Sequence, residues 1–83
     1  MASKNLVYEK AVRITEEYLG PAGERFLRRQ IETHLNIQPE KLQKKNISKL
    51  INWTTIAFAL ITSNKDEIDG FKKDLGELAR NGQ

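Results

Sequence analysis

Apolar residues recur at helical spacing in four stretches of the chain, and nowhere do they alternate with the two-residue period of a strand. In the first stretch, from about Asn5 to Leu19, Val7, Ala11, Ile14 and Tyr18 fall on one side, with Tyr8 and Leu19 at its edges. Glu9, Lys10, Arg13, Glu16 and Glu17 occupy the other side, which predicts a surface helix with one buried face. The second runs from Pro21 to about Leu35. Its stripe carries Phe26, Leu27, Ile31 and Leu35, but also Gly23, Gln30 and His34, while Arg25, Arg28 and Arg29, with Glu32 near them, lie opposite. The third, Ile47 to Thr62, is apolar over more than half its circumference through Ile47, Leu50, Ile51, Trp53, Ile56, Ala57, Phe58, Leu60 and Ile61. The fourth follows Ser63-Asn64 and has a narrow stripe of Ile68, Phe71, Leu75, Leu78 and Ala79.

The connections carry their own signals. In Tyr18-Leu19-Gly20-Pro21-Ala22, Gly20 is suited to the left-handed backbone that ends a helix, and Pro21 has a φ preset for the start of the next. This corner, marked by Tyr18, Gly20 and Pro21, sets how the first two helices meet. Gly23 would let another backbone come close. Pro39 to Gln43 predicts a short helical turn with Leu42 tucked inward, and Asn46 is a good N-cap for the third helix. Asn64 with Glu67 three residues on is a capping-box variant for the fourth. Gly70 and Gly76 lie off that helix's stripe and each weaken it by ~1 kcal/mol relative to alanine.

The pattern therefore predicts an all-α fold, a compact bundle of four main helices plus a short connecting helical turn. With 83 residues the chain is one domain, expected to fray at 1–4 and 80–83. So short a chain buries only about 60% of its unfolded surface, which favours association. A helix apolar almost all round is a central one, and two or three neighbours in one chain hardly cover it. The uncovered part is expected to face a second copy across an isologous interface of Trp53, Ile56, Phe58, Leu60 and Ile61. Tryptophan is enriched in interface hot spots, although Trp53 serves equally well as plain core packing.

Composition narrows the function classes. Hydrophobic residues at 39% and charged residues at 30% are ordinary for a globular protein, and there is no cysteine to form a disulfide or thiolate site. The longest apolar run, Trp53 to Ile61, is shorter than the ~20 residues a bilayer span needs, and no apolar leader opens the sequence. The expectation is a cytoplasmic protein that does not engage a membrane. A net charge of +3 raises the question of nucleic acid, but the charges are mixed. Arg25, Arg28 and Arg29, with Lys41, Lys44, Lys45 and Lys49 around one connection, are the candidate phosphate contacts. Asp66, Glu67, Asp69, Asp74 and Glu77 make the last helix acidic.

Catalytic and metal chemistry find no footing. His34 is the only histidine, and none of Ser3, Ser48 or Ser63 has the surroundings of a nucleophile. Gly20 and Gly23 follow no strand and do not form a phosphate loop. Gln30 and His34, one turn apart on a buried stripe, read as a hydrogen-bonded pair fixing helix register, or as polar groups of a small apolar pocket. No catalytic residue, metal or cofactor is expected.

The Tyr18-to-Ala22 corner, followed by Phe26-Leu27-Arg28-Arg29 and then two more helices, resembles a small helical module at the C-terminus of some bacterial serine/threonine kinases and regulators. The chain also looks like short stand-alone archaeal proteins with the same corner. The likeness in layout spans residues 6–78, without an attached kinase domain. It implies an accessory module for signalling or assembly. The expected function is thus non-enzymatic: a protein–protein interaction or assembly module, homodimeric, serving as an adaptor to a protein partner yet to be identified. The alternative is a small basic nucleic-acid-associated protein using the arginines and the Lys41–Lys49 stretch.

Overall fold

A computed structural model describes residues 5–81. Four α-helices follow one another: α1 (Leu6–Leu19), α2 (Gly23–Gln30), α3 (Lys44–Ile61) and α4 (Lys65–Asn81). A 3-10 turn, Gly20–Ala22, joins α1 to α2, and a second, Pro39–Lys41, precedes α3. There is no strand among the described residues. The all-α bundle with a short connecting turn is therefore the architecture. α4 continues through Arg80 and Asn81, two positions expected to fray, while 1–4 and 82–83 lie outside the described residues.

Each helix end has a local cause. Asn5 caps α1, its Oδ1 accepting the Tyr8 backbone N–H at 3.0 Å. The Asn5 Nδ2 also donates to the carbonyls of Glu40 and Leu42, at 2.8 and 2.7 Å. One side chain thus starts α1 and ties down the connection before α3. Gly20 ends α1 at φ 68, ψ −150, a region essentially reserved for glycine, rather than in the left-handed helical well. Asn64 caps α4, with its Oδ1 accepting the Glu67 N–H at 3.2 Å. Asn46 is not the N-cap of α3. That helix begins earlier, after Gln43, and Asn46 reaches back to accept the Gln43 N–H at 2.9 Å.

The second helix does not run uniformly to Leu35. After Gln30 the backbone winds into a π turn, Ile31–Leu35, which Asn36 closes at φ 57, ψ 38. Asparagine tolerates this left-handed conformation better than most residues.

The core is built from Tyr8 and Ala11 of α1, Leu27 of α2, Ile31, Leu42, then Ile47, Leu50 and Phe58 of α3, and Phe71, Leu75 and Leu78 of α4. Thr15 and Thr54 are fully buried among them. Their hydroxyls donate to the carbonyls four residues back, Ala11 at 2.8 Å and Leu50 at 2.7 Å, so neither needs a partner on another helix. Gly23 sits where α2 crosses α1. A Cβ there would lie 2.9 Å from the Glu16 backbone, so the absence of a side chain sets the approach of the two helices.

Gly70 also has a packing role and is not merely a weak point of α4. A Cβ there would lie 2.7 Å from the Tyr18 hydroxyl, which donates to Asp74 Oδ2 at 2.8 Å. Tyr18 therefore does more than mark the corner: it reaches across to α4. Its ring meets Phe58 and Phe71 edge-on, with centroids 6.0 and 5.6 Å away, and these two rings lie 5.0 Å apart. Such aromatic pairs contribute about 0.5–1.5 kcal/mol each beyond area burial.

Burial, and after it the hydrogen bond to Asp74, pushes the Tyr18 phenol up from 10.0 to about 12. Because the folded-state value is the higher one, the stabilisation is complete below pH 10.0 and is lost as pH rises towards about 12. Tyr18→Phe is expected to lower stability at neutral pH by about 1–2 kcal/mol through the lost charge-assisted bond. It should also flatten the alkaline fall in stability, as read by urea unfolding across that window. An alkaline limb unchanged by the substitution would detach Tyr18 from it.

Candidate functional site

The exposed face of α3 is the feature that the bundle leaves without a partner. Ile47, Leu50, Thr54 and Phe58 turn inward, and Trp53, Ile56 and Leu60 are carried to the opposite side. Their exposures are 41%, 58% and 85%, and that of Ile61, at the helix end, is 58%. These four are the expected interface residues that the fold keeps accessible. Phe58 is not one of them. It is 1% exposed and holds the centre of the aromatic cluster with Tyr18 and Phe71.

Trp53 is held in place from one side. The His34 ring stacks on it with centroids 4.1 Å apart and planes within 3°. Gln30 and His34 consequently do not form the expected hydrogen-bonded pair. The wider winding of the π turn removes the i, i+4 alignment that an α-helix would give them. His34 meets α3 instead, and the buried Gln30 Oε1 has no hydrogen-bond partner among the described residues. An imidazole pressed flat on an indole fixes the Trp53 rotamer and leaves the rest of the ring for contact.

The candidate phosphate contacts do not behave as one set. Arg28 is half-buried and committed to its neighbours: its Nη1 donates to the Tyr8 hydroxyl at 3.3 Å and pairs with Glu40 Oε2 at 3.2 Å. The guanidinium also lies over the Tyr8 ring, 5.9 Å from its centroid, and Tyr8 in turn donates to Glu24 Oε2 at 3.0 Å. The bonds to Tyr8 and then Glu40 raise the Arg28 pKa further, and Glu40 is lowered by its own backbone N–H and by Arg28. The ion pair is open to water and adds little to stability, so this cluster is chiefly a tie between α1, α2 and the Pro39 turn.

Arg25 and Arg29 share a shallow surface groove with Glu24 and Glu32, which offsets their charge. Lys41, Lys45 and Lys49 are exposed and Lys44 is half-buried, on the turn and the first half of α3. Among the described residues no three histidine, aspartate or glutamate side chains converge as a metal-binding group, and no helix is long and apolar enough to cross a membrane.

Periodicity alone misses Thr54, the His34–Trp53 stack and the Asn5–Glu40 tie. Two of these had a signal: Thr54 stands four residues after Leu50 and four before Phe58, and His34 and Trp53 both lie on apolar stripes. No family model matches the chain, and neither does any curated protein or solved structure.

Proposed function

We propose that this protein is a non-enzymatic interaction and assembly module that self-associates through the outer face of α3. The observation that carries the reading is the exposed row of Trp53, Ile56 and Leu60 on a helix whose inner face is already filled. Large apolar side chains gathered on one exposed face favour contact with another protein, since removing them from water is worth about 25 cal/mol per Å². Trp53, prealigned by His34, is suited to be the anchor at low entropic cost. An adaptor role in signalling or assembly follows from the module's size and from the likeness of its helical corner.

Sedimentation over a concentration series tests the reading. The wild-type mass is expected to rise towards twice the chain mass, and Leu60→Glu to hold the protein at one chain mass with an unchanged far-ultraviolet circular dichroism spectrum. The single tryptophan offers a second readout, because its emission should shift to shorter wavelength as dimers form. A wild-type protein that stays at one chain mass throughout would refute self-association. Mass gained only with mixed-sequence DNA, and lost steeply with salt, would favour the nucleic-acid alternative through Lys45 and Lys49.

A further inference from the structure

Trp53, Ile56 and Leu60 are spaced three and four residues apart, and Lys49 lies four residues before Trp53. This 4-3-4 spacing is that of a coiled-coil seam, which packs helices at about 20°. The two ends of the seam carry opposite charge. Lys45 and Lys49 stand exposed near the start of α3, and just beyond its end the first turn of α4 exposes Asp66 and Glu67 beside Lys65, which leaves that end net negative. Glu67 is close to that end, its Oε1 accepting the Thr62 hydroxyl at 3.4 Å.

We propose that the occupant of this seam is a second copy of the chain, bound antiparallel about a two-fold axis between Ile56 and Ala57. This rests on the self-association reading above. The axis is the midpoint of the exposed apolar positions, so Trp53 of one copy faces Leu60 of the other and the two Ile56 side chains meet near the centre. Lys49 then faces the Ser63–Asn64 connection, and Lys45 comes up to Asp66 and Glu67. The basic end of each copy thus meets the acidic end of its partner, twice per dimer. A parallel pair would set lysines against lysines and carboxylates against carboxylates, which is disfavoured. The stacked His34 keeps each indole turned to the same rotamer before the copies meet.

The absence of native cysteine makes the orientation directly readable. Under mild oxidation Ile56→Cys is expected to give a covalent dimer, because its copies meet at the axis. Lys49→Cys alone should not cross-link, whereas Lys49→Cys mixed with Ser63→Cys should. All three positions are exposed in the single chain, so the variants should keep the wild-type fold by far-ultraviolet circular dichroism. Lys45→Glu combined with Lys49→Glu should weaken the dimer by about tenfold or more, most clearly at low salt. Cross-linking of Lys49→Cys to itself, with none to Ser63→Cys, would overturn the antiparallel arrangement while leaving self-association standing. Failure of Ile56→Cys to cross-link in a protein that sediments as a dimer would place the interface elsewhere on the surface. A wild-type protein that never exceeds one chain mass would remove both readings together.

Discussion

Phe58→Ala is expected to destabilise the monomer fold by about 3–5 kcal/mol, the usual range for deleting a buried phenylalanine. A domain of this kind has only about 5–15 kcal/mol of stability in total, so the loss is a large fraction of it and the urea midpoint should fall far below that of the wild type. The ring is fully buried and touches Tyr18 of α1 and Phe71 of α4 as well as its own helix. Its removal would open a cavity where three helices meet, and the remaining rings are too rigid to fill it. Urea unfolding followed by far-ultraviolet circular dichroism measures the loss. Leu60→Ala, two residues away and 85% exposed, is the contrast, expected to change stability by no more than ~0.5 kcal/mol. Equal effects at the two positions would contradict the assignment of inner and outer faces.

The second large effect is expected at Gly23. Its backbone is ordinary right-handed helix, φ −61 and ψ −42, so conformation alone would favour alanine by up to ~1 kcal/mol. Space decides otherwise. An added Cβ would sit 2.9 Å from both the Cα and the N of Glu16, backbone atoms of the last turn of α1 that cannot swing aside as a side chain can. The helices would have to separate, at a cost typical of overpacking, about 1–3 kcal/mol. Gly23→Val, larger and branched, should reach or exceed the top of that range. Gly76→Ala is the internal control. Its Cβ would meet nothing closer than an Arg80 guanidinium nitrogen at 3.6 Å, so the helix should gain roughly 0.5–1 kcal/mol. Thermal melts of the three variants check the order, and a stabilising Gly23→Ala would show that α1 and α2 are free to part. Gly20 differs from both, for it has open space around it and its constraint is the backbone angle alone.

The contrast between Phe58 and Leu60 shows where sequence reading reaches its limit on α3. Both belong to one long apolar helix, and its pattern places both on the same interface. When apolar residues cover most of a helix's circumference, periodicity no longer points to one side, so it cannot say which third is covered. The neighbours make that choice: Tyr18 comes from α1, far back in the chain, and Phe71 and Leu75 from α4, the helix that folds back after α3. On α4, where the stripe is narrow, the pattern was sufficient, and Phe71, Leu75 and Leu78 are the buried residues. Ile68 and Ala79 are partly buried against the same core.

The arginines make the same point for charge. Arg25, Arg28 and Arg29 look alike along the chain, but Arg28 alone is drawn against Tyr8 and Glu40, twenty residues before it and twelve after. Gln30 and His34 were separated by the π turn, for which no local sequence signal was found. Along the chain Gly70 is only a helix weakness, because its reason, the Tyr18 hydroxyl, comes from a distant helix.

The sequence by itself determined the four helices in outline, the cap at Asn64, the turn at Gly20-Pro21 and the all-α class. Each of these depends on residues within one or two turns of one another, where steric preference and local hydrogen bonds act directly. Only the tertiary structure decided which face of α3 is filled and which is left open, which cations are tied and which are free, and how closely α1 and α2 approach. Those outcomes come from contacts between residues far apart in the chain. Their free energy depends on a shared core volume and on burial, which no local pattern encodes.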